Sequence, residues 1–262
     1  MSATISVLSA EQIASFHESG YLAVDALVSP DEVEKMRGLY DRLFANQTGR
    51  EAGDHFDLAG DDEAGAPAKL QQMLNPSRYE PAFAALQCGQ TALALARQLL
   101  GEGTEAQGDH AILKPAGKGV ATPWHQDEAY WSPDLAYNAL SLWIPLQEAT
   151  LENGCMHFIP GSHRGEVQAH HPINHDPRVH GLEVDTPVDD AAAVACPLPA
   201  GGATFHLART LHYAGANHTD QPRRAYIMMF GTPPQPFAGE RRFPWLEIQQ
   251  TAREARAKAV QG

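Results

Sequence analysis

The residues in this chain best equipped for chemistry are His125 and Asp127, within Trp-His-Gln-Asp, followed far downstream by His212 and Arg223. Two imidazoles and one carboxylate form the donor set of non-haem Fe(II) sites, which leave coordination positions open for reacting molecules. On an extended strand, positions i and i+2 project from one face, so His125 and Asp127 can reach one ion. A His-x-Asp pair arises often by chance, and a third donor must come from elsewhere. His206 and His212 both qualify. His212 is favoured because Arg223 follows eleven residues on, after a turn-rich link through Gly215, Asn217 and Pro222. An arginine returned to the interior there could grip the carboxylate of a co-substrate through two parallel hydrogen bonds. His206 reads as a strand residue packed in the wall, and one of Arg223 and Arg224 as a surface charge.

The elements that must position these groups are legible around them. Ser9-Ala10-Glu11-Gln12 is a capping box, with Ile13 and Phe16 at helical spacing after it and Gly20 as the stop. Tyr21–Val24 reads as a short strand. Ser29-Pro30-Asp31-Glu32 starts a second helix with the apolar face Val33, Met36, Leu39, Tyr40 and Leu43. Residues 46–68 read as an exposed loop, and a third helix is expected over 88–100, ending at Gly101. From about residue 105 short apolar runs bounded by Gly, Pro and Asn predict strands at 111–114, 139–144, 156–159, 203–206 and 225–230. Residues 164–193, with His170, His171, His175 and His180, read as a solvated lid rather than a second metal cluster. A charged helix is expected over about 243–260. The chain thus reads as one domain, 1–262: helices over about 9–100, a β core over about 105–232, then a terminal helix.

Composition narrows the class. At 262 residues with 43% hydrophobic content, the chain can bury a full core. A formal charge of -13 argues against nucleic acid or an anionic membrane as partner and leaves a small molecule as the expected one. No apolar run is long enough to cross a bilayer, and the first residues lack the pattern of a secretory signal. Cys88, Cys155 and Cys196 are far apart and odd in number, which suits a reducing compartment and a cytoplasmic location.

Several motifs together resemble the phytanoyl-CoA dioxygenase family of Fe(II)/2-oxoglutarate oxygenases. They are Lys114-Pro115 with Gly117-Lys118-Gly119, Trp124-His125-Gln126-Asp127-Glu128 with Tyr130-Trp131, and Trp143-Ile144-Pro145-Leu146. Glu152-Asn153-Gly154-Cys155, Pro160-Gly161-Ser162-His163 and His212…Asn217…Arg223-Arg224-Ala225 complete the set. The similarity spans roughly residues 10–232. It implies a mainly β fold with flanking helices and a double-stranded β-helix (jelly-roll, cupin-like) core. It also implies Fe(II) held by His125, Asp127 and His212, with the distal carboxylate of 2-oxoglutarate on Arg223 and dioxygen as the other co-substrate. By the same resemblance Lys114, Trp143 and Lys69 are expected to contact or line the 2-oxoglutarate site. Halogenating relatives carry a small residue in place of the carboxylate, so Asp127 points to hydroxylation. Tyr213 departs from the Gly or Ser common after the distal histidine, which bears on pocket lining.

The substrate is less legible. Tyr130 and Trp131 are candidates for the pocket mouth, with core packing the plainer role. His163 reads as a structural turn residue. Nothing resembling a broad basic patch suggests an acyl-CoA. The competing classes are a cupin-like metal-dependent isomerase or oxygenase that does not use 2-oxoglutarate, and a family member that desaturates, epimerises or closes a ring. A scaffold that has lost catalysis is a third class, but none of the expected ligands is missing.

Overall fold

In a computed structural model, which describes residues 7–63, 65–117 and 119–261, local signals near the N-terminus set the first elements. Lys118 of the glycine-flanked motif lies outside the described residues. Ser9 caps α1 (Ala10–Ser19) through a full capping box, and Gly20 ends it in the left-handed region at φ 86°. A side chain there would also collide with the His163 ring, so glycine is required twice over. The chain continues into β1 (Tyr21–Val24) and α2 (Pro30–Ala45), which has Ser29 as its cap and Pro30 in its first turn. After β2 (His55–Asp57), β3 (Gln71–Leu74) and the one-turn α3 (Pro76–Tyr79) comes α4 (Gln87–Leu100).

Strands then take over. They are β4 (Glu105–Lys114), β5 (Thr122–His125), β6 (Leu135–Ala136), β7 (Ala139–Pro145), β8 (Met156–Phe158), β9 (His170–Pro172) and β10 (Leu182–Val184). After them come β11 (Val194–Cys196), β12 (Ala203–Leu207), β13 (His212–Ala214), β14 (Arg223–Gly231) and β15 (Gln235–Pro236). Seven strands pair in the order β1-β12-β7-β14-β4-β3-β2, and four in the order β11-β8-β13-β5, with antiparallel pairing throughout. Period-two alternation gives the large sheet two different faces. Leu140, Leu142, Ile144, Tyr226, Met228 and Phe230 pack with Phe16, Met36 and Leu95 of the helices. Trp143, Ala225 and Ile227 face the small sheet, packing with Met156, Phe158, Cys196 and Ala214. Two sheets enclosing an interior in this way make the double-stranded β-helix expected of the chain. No described helix is long and apolar enough to cross a membrane.

Three expectations need correction. Residues 46–68 are not simply an exposed loop, since His55–Asp57 are buried as the edge strand of the large sheet. The acidic side chains that suggest solvation are satisfied internally. Asp57 accepts the backbone N–H groups of Ala59, Lys69 and Leu70, and Asp62 is paired with both Arg50 and Arg256. Residues 164–193 are only partly a solvated lid, because β9 and β10 form a hairpin and His170 is buried in it. The terminal helix is broken into α5 (Pro244–Ile248) and α6 (Ala252–Gln261). At the break Gln249 turns aside to donate its amide to the carbonyls of Val179 and His180.

Candidate active site

Between the two sheets lies a cavity of about 270 Å³ whose wall includes His125, Asp127, His212 and Arg223. Strand β5 ends at His125 and β13 begins at His212, and these two residues are direct cross-strand partners. The ladder therefore sets the spacing of the two imidazoles. Each ring has its Nδ1 on a backbone carbonyl, Pro123 O at 2.8 Å for His125 and Thr210 O at 2.9 Å for His212. That contact keeps the proton on Nδ1 and turns the Nε2 lone pair toward Asp127. Gln126 is extended (φ −121°, ψ 133°), so Asp127 emerges on the same side as His125 although it already belongs to a 3-10 turn. The separations are 3.9 Å from His125 Nε2 and 3.5 Å from His212 Nε2 to Asp127 Oδ1. One ligand atom from each of the three residues lies within 4.8 Å of the others, the one such cluster among the described residues. This donor set fits a first-row divalent metal such as Fe(II).

The charge states suit that role. Burial keeps both imidazoles neutral by lowering their pKa, His212 well below its ordinary value. Burial works against a charged carboxylate too, but any proton carried by the surrounding histidines, His212 foremost, favours it, and the Asp127 carboxyl is held well below the usual carboxylate range. The second oxygen of Asp127 is already engaged. Ser141 Oγ donates to Oδ2 at 2.6 Å, and His206 Nε2 lies 3.3 Å from it. His206 is therefore not a mere wall residue. It sits beside the metal cluster and braces its carboxylate, while Oδ1 faces the two ligand imidazoles.

Gln126, between the two upstream donors, points the other way and ties the turn to its surroundings. Its amide donates to Arg209 O at 2.7 Å, its Oε1 accepts from Gln168 N, and its backbone N–H meets His170 Nε2 at 3.2 Å. Glu128, one residue past Asp127, is buried against Arg241, and Trp245 Nε1 donates to Ala129 O at 2.8 Å. The C-terminal segment thus clamps the metal-bearing turn.

Arg223 opens β14, and the preceding turn is closed by the buried Asn217, whose amide bonds the carbonyls of Lys114, Pro115 and Gln221. The Arg223 side chain is 1% exposed, yet its Nε and Nη1 have no hydrogen-bond partner. Its guanidinium carbon lies 5.4 Å from the centre of the Trp143 ring, and burial pulls its pKa from 12.5 to about 10. A buried guanidinium with unused donors, on the wall of the cavity that holds the His-Asp-His cluster, can receive a carboxylate. Arg224 faces outward and pairs with Asp41 of α2.

The other expected residues divide. Trp143, Tyr130 and Trp131 line the cavity. Lys114 does not, because its ammonium gives all three donors to backbone carbonyls of Val120, Ala214 and Gly215, at 3.0, 2.8 and 2.6 Å. It ties β4 to the link after β13 and has no proton left for a ligand. Lys69 is exposed and outside the cavity, so the expected cofactor contact fails there too. Three residues on, Gln72 of β3 lines the cavity instead. His163 packs against the Gly20 turn. Of the lid histidines, His170 and His180 turn inward, and His180 reaches the cavity.

Sequence reasoning missed His110, Ser141, His180, Met229 and Arg253 in the lining. Period-two reading of a longer β4 would have placed His110 beside Ile112, and the same alternation puts Ser141 with Trp143. His180 and Arg253 carry no local signal, since long-range docking brings them in.

Comparison with known proteins agrees with this geometry. The family model described as phytanoyl-CoA dioxygenase (PhyH) matches residues 16–225. A probable alpha-ketoglutarate-dependent hypophosphite dioxygenase from Stutzerimonas stutzeri is 30% identical over 223 residues, 84% of this chain and 77% of that protein. Among solved structures, EvdO2 from Micromonospora carbonacea var. aurantiaca complexed with 2-oxoglutarate superposes with a TM-score of 0.80 at 38% identity, covering 94% of this chain and 99% of that one. The non-heme alpha ketoglutarate dependent epimerase SnoN from nogalamycin biosynthesis gives 0.67 at 26% identity, over 85% and 82% of the two chains.

Proposed function

Because this chain belongs to the phytanoyl-CoA dioxygenase family and is a non-haem Fe(II)- and 2-oxoglutarate-dependent dioxygenase, we propose that it hydroxylates an unactivated C–H bond of a small organic molecule. In this reading His125, Asp127 and His212 hold the iron through two Nε2 atoms and Asp127 Oδ1. Arg223 takes the distal carboxylate of 2-oxoglutarate, and Trp143 flanks it. The observation that carries the assignment is the pair of unpartnered nitrogens on a buried Arg223. Bound iron, 2-oxoglutarate and dioxygen supply the oxidising power, with succinate and carbon dioxide as co-products. The protein's share is to fix the donors, exclude water and hold the substrate C–H toward the open side of the metal.

Ser141 and His206 keep the carboxylate from swinging, so that Asp127 offers one oxygen and occupies the position a halogenating relative leaves free. The whole chain acts as a single oxygenase domain, with the C-terminal segment as part of its active-site wall. Three free, buried cysteines support a cytoplasmic location, and the acidic surface supports a small-molecule substrate over nucleic acid.

Anaerobic titration of the Fe(II) protein with 2-oxoglutarate tests the assignment. A weak visible charge-transfer band is expected, and succinate should then form on admitting oxygen and substrate. Intact iron binding without that band would overturn the co-substrate site. Redox-neutral epimerisation is the second reading, favoured by the likeness to SnoN. Product mass decides it, since hydroxylation adds one oxygen atom and epimerisation adds none.

A further inference from the structure

We propose that Arg253, carried on α6 into the wall of the metal-bearing cavity, is the subsite that selects a substrate with an anionic end. The proposal rests on reading that cavity as the oxygenase active site. Arg253 lines the cavity together with Gln72, His180 and the apolar Leu58, Leu74 and Met229. Its Nε donates to Gly53 O at 3.0 Å, and its guanidinium carbon lies 4.8 Å from the centre of the Phe56 ring. The two terminal nitrogens have neither a hydrogen-bond nor an ion-pair partner among the described residues. Other arginines nearby are used up: Arg256, one turn along α6, pairs with Asp62, as does Arg50. Arg256 therefore anchors the helix, and Arg253 is held in place with its binding edge unspent.

The docking is tight at this point. Gly53 sits at φ 76°, and a side chain on it would run into the backbone carbonyl of Arg253 itself. The guanidinium is partly desolvated, and burial lowers its pKa. Burial, reinforced by the Arg253 charge, holds His180 neutral at about 3, so the neighbouring ring offers a hydrogen bond and no second charge. Among the described residues Asp127 is the one carboxylate on the cavity wall, and Ser141 and His206 already engage it. Glu254, Asp54 and Asp62 also act on the Arg253 charge, but none of them lines the cavity, and Asp62 is already paired with Arg50 and Arg256. The cavity wall thus combines the metal cluster, apolar side chains and the cationic Arg253. A small organic acid with a hydrocarbon body, its anionic head a carboxylate or phosphonate, matches that combination of surfaces. Arg253 also lies beyond the family-model match, which ends at residue 225.

The test uses the full chain loaded with Fe(II) and 2-oxoglutarate and a panel of short straight-chain carboxylic and phosphonic acids, each paired with its amide or methyl ester. The readouts are succinate formation and perturbation of the charge-transfer band. At least one acid class is expected to respond, favoured over its neutral partner by about 10-fold or more, and the responding class identifies the head group. R253A and R253Q should lose that preference and R253K should keep part of it, with the 2-oxoglutarate titration unchanged in all three. Equal response to neutral partners, no response to any acid up to about 10 mM, or an acid preference surviving in both R253A and R253Q would overturn the proposal. Absence of the charge-transfer band in the unmodified protein would instead strike the co-substrate reading, leaving the two failures distinguishable.

Discussion

Replacing Arg223 by Met should make the empty protein more stable and nearly blind to 2-oxoglutarate. The guanidinium is 1% exposed, two of its nitrogens lack partners, and Lys114 faces it across the β14–β4 register. The fall of its pKa from 12.5 to about 10 corresponds to roughly 3 kcal/mol of unfavourable environment for the charge. The contact with Trp143 returns about 1 kcal/mol, so a thioether of similar length is expected to gain about 1–3 kcal/mol. For a chain of this size that is a rise of about 2–5 °C in Tm. Loss of a buried charge-assisted pair should weaken 2-oxoglutarate binding by about 2–5 kcal/mol, or roughly 30-fold to several thousand-fold. Calorimetry of the metal-free protein and anaerobic titration of the charge-transfer band read the two arms separately. A variant that melts lower and binds 2-oxoglutarate as before would refute the reasoning, because Arg223 would then be a structural residue whose partners had been overlooked.

Three further outcomes follow from the same geometry. Ser141→Ala and His206→Ala should each weaken Fe(II) binding by about 10-fold or more without changing the 2-oxoglutarate dependence at saturating iron, as metal titration would show. Lys114→Met strands three buried carbonyls and should destabilise the fold by about 3 kcal/mol or more in denaturant unfolding, yet leave the KM for 2-oxoglutarate of the folded fraction unchanged. Burial lowers the pKa of His170 to about 4, so as pH falls the unfolded chain takes up that proton first. Its contribution is complete above about pH 6.5 and is lost as pH drops toward 4, a change of about 3 kcal/mol. His170→Phe should flatten that acid limb in Tm measured against pH, and an unchanged slope would assign the acid sensitivity elsewhere.

What the sequence made legible was whatever is written locally or by strict period. Ser9, Gly20 and Ser29-Pro30 announce helix ends because capping is a contact between near neighbours. The strands of the core announce themselves by apolar runs, and His125, Asp127, His212 and Arg223 by order and spacing. Hydrogen bonds between distant residues were not legible. Lys114 looked free for a ligand because no local feature reveals three carbonyls from two other segments. His206 looked like wall packing because alternation gives the face a residue occupies and not its partner, Asp127. The acidic stretch around Asp57 and Asp62 looked solvated because its satisfying groups are backbone amides and the distant Arg256.

The direct pairing of His125 with His212 across the ladder has a consequence for metal choice. Two of the three donors are spaced by backbone hydrogen bonds, and the third is braced by Ser141 and His206, so the site exists before any ion arrives. Two imidazoles and one carboxylate accept any first-row divalent ion, and for such donors the intrinsic order of affinity places Ni(II) and Cu(II) above Fe(II). Loading the correct metal becomes a matter of supply: protein made or purified amid competing ions will carry the wrong one, and its inactivity will say nothing about the fold.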